Sequence, residues 1–283
     1  MSAVVEGMDE AEYFADEALS ASGMKKLLRS PLHFKHGLGK SEIKAVFDFG
    51  HAVHADVLGV GAPLAEIPDD LLSGDNRTVS SKDAKAWVAA ARERGEVPLK
   101  AHELAAVRRA ADAVRAHPKA AWLLGLPGKS EVSLFGTDPQ TDVPLRGRID
   151  RLSELPDGRM VNIDLKTIPD VSRVKVKRQI EDMGYDVQSE VYKHLIALTH
   201  PGLEVAPTHL IFVEATEPHE VRVVQLAHED WINGGRARMR RAIAIYKACV
   251  ETGNWPGDDD DMGAAEAIEP RPYYLSDTAL EDE

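Results

Sequence analysis

The sequence has a single cysteine, Cys249, among 283 residues. One thiol excludes a disulfide framework within the chain, and it excludes zinc or iron–sulfur clusters held by several cysteines. A reducing, cytoplasmic setting is the expectation that fits. Long apolar runs are missing too. No stretch approaches the roughly 18 apolar residues of a membrane span. The first residues, MSAVVEGMDEAEYFADEAL, are acidic and lack an apolar run, so no signal peptide is expected there. The phosphate-cradling pattern G-x-x-x-x-G-K-[ST] does not occur, which argues against a nucleotide-driven motor. Internal repeats and Gly/Ser linkers are likewise lacking.

Positive charge is also scarce. Lys and Arg number 34 against 47 Asp and Glu, a net charge of −13. Bulk charge of that sign excludes a protein that coats nucleic acid non-specifically. An enzyme whose basic groups line one local channel remains compatible. Hydrophobic residues make up 43%, enough to bury a substantial core.

The pattern along the chain changes near residue 128. Before it, helices are expected: one after Ser20 that Pro31 stops, one over 42–58, and two Ala-rich ones near 81–94 and 101–116. Residues 60–80 read as a loop. After it, strands are expected over 129–136, 145–153 and 159–167. They are separated by turn signals such as Pro156-Asp157-Gly158, which favours an antiparallel meander. Helices over 172–182 and 186–199, strands over 210–215 and 220–226, and a long helix over 228–252 complete the order. The reading is one α/β domain over 1–256, with a mainly helical part (1–127), a sheet-containing part (128–256) and an acidic tail (257–283). Asp258 to Asp261 read as a solvated acidic loop.

Chemistry concentrates in the meander. Pairing 145–153 with 159–167 around the turn gives paired positions that sum to about 312, so Asp150 lies nearly opposite Asp164. Asp164 and Lys166 share a face because strand side chains alternate, while Val161, Ile163 and Leu165 take the apolar face. Two carboxylates suit a hard divalent cation. Such a cation polarises a phosphoryl oxygen and lowers the pKa of bound water. A lysine beside it can position or activate water and can stabilise phosphate charge. Asp-x-Lys alone is usually a solvated strand pair. Gln188 and Tyr192, four apart on one helix face, and His54, one turn after Gly50, add polar groups of the right kind.

In order, these elements are Gly-x-x-x-His, Asp, Asp-x-Lys and Gln-x-x-x-Tyr. Together with LSASGMKKLLRSPLHF, FDFGHAVHADVLG, RGRIDRL, VNIDLKT and MGYDVQSEVYKHLI, they resemble the RecB-like branch of the PD-(D/E)xK nucleases, and more narrowly the RecE-type exonucleases (exonuclease VIII) of phage and prophage recombination. The resemblance implies a restriction-endonuclease-like α/β core, a mixed and mainly antiparallel sheet flanked by helices, with an N-terminal helical region. It implies that His54, Asp150, Asp164 and the Leu165 carbonyl bind Mg²⁺ (or Mn²⁺), with Glu131 as a further acidic ligand. Lys166 would be the catalytic lysine, and Gln188 and Tyr192 would complete the site. It further implies 5′-to-3′ digestion of linear double-stranded DNA from its ends, leaving 3′ single strands for a RecT-like annealing partner. A ring-shaped homo-oligomer is implied as well, in a bacterial and possibly phage-encoded setting. Candidate phosphate contacts are Arg146, Arg148 and Arg151 beside Asp150, the run Arg173, Lys175, Lys177 and Arg178, and Lys25, Lys26 and Arg29. His51 reads as structural or outer to the site. Two alternatives stay open: a RecB-like nuclease of another repair complex, and a catalytically silent DNA-binding or assembly module on the same fold.

Overall fold

The computed structural model describes residues 2–37, 49–259 and 269. Its strands are β1 (Ala3–Val5), β2 (Leu19–Ser20), β3 (Leu64–Glu66), β4 (Val97–Leu99), β5 (Gly128–Thr137), β6 (Pro144–Glu154), β7 (Met160–Ile168), β8 (His209–Glu214) and β9 (Val221–Gln225). Its helices are α1 (Glu10–Ala15), α2 (Ala21–Arg29), α3 (Pro31–His36), α4 (Phe49–Leu58), α5 (Lys82–Glu93), α6 (Ala101–Ala116), α7 (Pro118–Leu124), α8 (Arg173–Met183), α9 (Tyr185–Thr199) and α10 (Glu229–Thr252). The main sheet runs β1-β5-β6-β7-β8-β9, with β2 added beside β6, and β3 and β4 form a separate pair. Pairing is antiparallel except for β2–β6 and β7–β8 in the main sheet and for β3–β4. This is the expected mixed, mainly antiparallel sheet flanked by helices.

The elements follow local chemistry. Ser20 caps α2 by accepting from the Gly23 amide. Pro31 does end that helix, but it also opens α3, where a proline at the first position costs no hydrogen bond. The part of the expected 42–58 helix before Phe49 lies outside the described residues. The expected 60–80 loop contains β3 and a short 3₁₀ turn at Asp69–Leu71. The helix α7 was not foreseen.

Two helical layers sandwich the sheet. On one face α2, α9 and α10 bury Met24, Leu27, Val187, Val191, Leu195 and Ile243 against Val132, Leu134, Leu145 and Ile149 of β5 and β6. On the other, α4, α6 and α7 bury Val53, Val107 and Leu123 against Val161, Ile163 and Leu165 of β7 and Ile211 and Val213 of β8. A third cluster joins α8 and Tyr185 to Ile168, Leu210 and Phe212. Among the described residues no helix is long and apolar enough to cross a membrane.

Candidate active site

The β6–β7 register pairs Arg151 with Ile163 and Leu152 with Asn162. Paired positions therefore sum to 314 rather than about 312, and continuing that register sets Asp150 directly across from Asp164. The regular ladder stops just before them. Ile149 and Leu152, three residues apart, join the same apolar cluster. A strand alternating strictly by two cannot do this, so β6 kinks at Asp150. On its other side, Glu131 stands at the matching break in the β5–β6 pairing, with φ of 52°. A glutamate in left-handed backbone is strained, and such strain clusters at functional sites.

Each helical layer contributes to the gap this kink opens. From α4, His54 Nε2 lies 2.7 Å from Asp150 Oδ2 and Nδ1 lies 3.3 Å from Glu131 Oε1. From α9, Gln188 Nε2 donates to Asp164 Oδ1 at 3.0 Å and to the Tyr192 hydroxyl at 3.2 Å. Lys166 Nζ sits 2.6 Å from Asp164 Oδ2. The Leu165 amide donates to Asp150 Oδ2 at 2.8 Å, so it is the N–H of Leu165 that faces Asp150. Gly147 makes room for the helix: a Cβ there would stand 2.9 Å from the Tyr192 ring.

Asp164 is fully enclosed, Asp150 keeps 15% of its side chain exposed, and the two carry opposite electrostatic biases. Burial pushes Asp150 upward. The His54 charge and hydrogen bond, Lys166 and the Leu165 amide outweigh it and hold Asp150 below the usual carboxylate range. For Asp164, burial and the neighbouring Asp150 charge win over Lys166, and its carboxyl is raised. Burial opposes the charge of His54, but Asp150 and then Glu131 push it up to about 9. Lys166 is also raised, because Asp164 and Asp150 overcome its burial. It is therefore a firm cation. Burial likewise drives Tyr192 well above its ordinary value, so it stays a neutral phenol. Glu131 is raised by burial and by Asp150.

These groups fit a hard divalent cation. One donor atom from each of His54, Glu131 and Asp150 lies within 4.8 Å of the others. Asp164 Oδ2 is buried, and what it meets is the Lys166 ammonium, 2.6 Å away as an ion pair. An enclosed oxygen in that state is what an incoming cation would satisfy. Imidazole with carboxylates suits Mn²⁺ and tolerates Mg²⁺.

The basic groups expected at phosphates are dispersed. Arg146 and Arg148 lie 4.7 and 4.5 Å over the Tyr13 ring. Arg146 donates to the Ala18 carbonyl, and Arg148 to the carbonyls of Met8 and Asp9. Arg151 donates to the Leu126 carbonyl. Arg173, Lys175, Lys177 and Arg178 are exposed on α8, with Arg178 paired to Asp182. Lys26 and Arg29 are exposed on α2, and His51 is exposed on α4. Lys25 alone of its group turns toward the site, as does Tyr185, whose ring lies 4.9 Å from Lys166 Nζ. Tyr185 went unforeseen, although its place three residues before Gln188 puts it on the same helical face.

The family described as "PDDEXK-like domain of unknown function (DUF3799)" matches residues 20–268. No curated protein matches the chain. Among solved structures, a candidate exonuclease from Eubacterium rectale is similar over 98% of this chain and 100% of its own. Its TM-score is 0.56 at 13% identity, a likeness of fold. A phage-related exonuclease from Haemophilus somnus 129PT is also 13% identical over 84% of this chain and 96% of its own. Its TM-score of 0.35 supports no inference.

Proposed function

Because this chain belongs to the PDDEXK-like DUF3799 family, we propose that it is a metal-dependent nuclease that hydrolyses phosphodiester bonds of linear double-stranded DNA. The observation that carries the reading is the meeting of His54, Glu131 and Asp150 with the Asp164–Lys166 pair at the kink of β6. His54, Asp150, Asp164 and Glu131 would hold Mg²⁺ or Mn²⁺, and the Leu165 carbonyl is the further ligand the resemblance implies. Such a cation, when bound, polarises the phosphoryl oxygen and makes its water a nucleophile near neutral pH.

The protein's own groups define the rest. The raised Lys166 keeps its proton, so it serves as a fixed charge and not as a base. It orients the attacking water and stabilises negative charge that grows on the phosphate. Gln188 spends its amide on Asp164 and Tyr192, which locks the carboxylate's plane. The neutral Tyr192 hydroxyl accepts from Gln188 and retains its own proton to donate.

The resemblance to RecE-type exonucleases supports the finer reading. Digestion would run 5′-to-3′ from duplex ends and leave 3′ single strands for an annealing partner in recombination. A ring of subunits would turn basic groups inward, which reconciles a net charge of −13 with DNA as substrate. The test is digestion of linear duplex labelled at either the 5′ or the 3′ end, with Mg²⁺ and with chelator. Metal-dependent release of the 5′ label first is expected. No metal-dependent release of nucleotides at any protein concentration sinks the proposal.

A further inference from the structure

Lys25 and Lys26 are neighbours in sequence with opposite fates. Lys26 stays exposed on α2, while Lys25 is half-buried and reaches across to the α8–α9 junction. There its ammonium donates to the Met183 carbonyl at 3.0 Å and lies 5.8 Å from the Tyr185 ring. That ring is the one that Lys166 approaches at 4.9 Å. Gly184 between the two helices has φ of 61°, and a Cβ on it would fall 2.9 Å from Lys25 Cδ and 3.7 Å from an Arg238 guanidinium nitrogen. The glycine is needed here for its left-handed backbone, and it also leaves the space that the Lys25 stem occupies. Arg238 arrives from α10 and grips both oxygens of Asp186 at 3.0 Å.

Three elements thus deliver Lys25, Lys166 and Arg238 to one patch whose enclosed acids are Asp164 and Asp186. Lys166 also feels Asp150, but the carboxylates around Lys25 are Asp164 and Asp186, and the charges of Lys166 and Arg238 oppose its own. Burial and the charges of Lys166 and Arg238 all weigh on the Lys25 ammonium and lower its pKa. A carbonyl takes only one of its three N–H donors. An anion seated there would use the others and relieve the repulsion.

We propose that the α8–α9 junction is a second phosphate seat, in which Lys25 and Arg238 hold a backbone phosphate of the nucleic acid next to the one that Lys166 faces. This rests on the nuclease reading and deepens it. Lys25 would act on the substrate's position and not on the reacting atoms. A purely structural Lys25 would instead close the C-terminal end of α8 through Met183.

The two are separable with Lys25→Ala and Lys25→Arg in the full chain. The readouts are binding of 5′-phosphorylated linear duplex, with Ca²⁺ replacing Mg²⁺, across a salt series, KM and kcat with Mg²⁺, and thermal melting. For Lys25→Ala we expect about tenfold weaker binding, as for loss of one charge-assisted hydrogen bond. The slope of log affinity against log salt should fall by about one. KM should rise with kcat kept, and Lys25→Arg should restore both binding and slope. A lower melting temperature with wild-type affinity, slope and KM overturns the seat and leaves Lys25 as a helix cap. A wild-type chain that neither binds nor cleaves the duplex overturns the nuclease reading on which the seat rests.

Discussion

The two halves of the site are built from the same kind of residue and behave in opposite ways. On the β5–β6–α4 side, Asp150 is held ionised by a histidine that Glu131 also grips. On the β7–α9 side, Asp164 is pushed toward its neutral form even though a lysine lies 2.6 Å away. The difference comes from what else each carboxylate meets. Asp150 receives an imidazolium and a backbone amide. Asp164 meets the Asp150 charge in an enclosure where only 1% of its side chain is exposed. Two carboxylates set apart in this way are a mark of divided roles. The first half is prepared for a cation, while the second becomes comfortable only when a cation arrives.

That contrast predicts unequal consequences of single substitutions. Asp150→Ala should abolish metal binding and turnover together, because it removes the anchor of His54. Lys166→Ala should lower turnover by about 10³-fold, the scale of losing one charge aimed at the transition state. It should leave metal binding intact. Calorimetric titration of Mn²⁺ on both variants, beside nuclease assays, decides the matter. Loss of metal binding in Lys166→Ala would collapse the two halves into one.

How much of this was legible beforehand differs between the halves as well. The strand pattern of LRGRIDRLS and RMVNIDLKT, with its turn, was enough to bring Asp150 opposite Asp164. Local alternation and turn chemistry fix a hairpin within one or two residues. Nothing local says that β6 kinks at Asp150, because Ile149 and Leu152 reveal it only through the core they share. The arginines taught the same limit. Their positions beside Asp150 were plain, but Arg146 and Arg148 turn to Tyr13 and the carbonyls near it, partners more than 120 residues away in sequence. Charge at a position is a sequence property, whereas its direction is a tertiary one. Lys25 beside Lys26 is the clearest case, two adjacent lysines told apart only by the packing of α2 on α9.

The histidine supplies the next test. Its raised value means that a proton occupies His54 in the metal-free protein up to about pH 9. The stabilisation from protonated His54 is complete below its ordinary value of 6.5 and is lost as pH rises through about 9. A cation must displace that proton, so apparent Mn²⁺ affinity should strengthen by up to about tenfold per pH unit between pH 7 and 9. Metal-induced gain in melting temperature should grow in parallel. His54→Ala should weaken metal binding by more than the roughly 10–100-fold that loss of a partner outside the ligand set costs. It should also flatten the pH dependence over that window. A steep slope persisting in His54→Ala would move the proton to another group.

The smallest effects should fall on the second half's supports, and their order is informative. Gln188 hydrogen-bonds both Asp164 and Tyr192, whereas the Tyr192 hydroxyl bonds Gln188. Gln188→Ala removes an amide that fixes Asp164 Oδ1 and takes a donor from a buried oxygen, a loss of about 1–3 kcal/mol. Turnover should drop roughly tenfold or more on that account. Tyr192→Phe keeps the ring packed on Gly147 and removes only the acceptor of a 3.2 Å hydrogen bond. It should cost a few-fold, about 1 kcal/mol. If Tyr192→Phe proves the more damaging of the two while melting is unchanged, its retained hydroxyl proton is donated to the substrate, and Tyr192 moves from a support of the lysine half to a member of it.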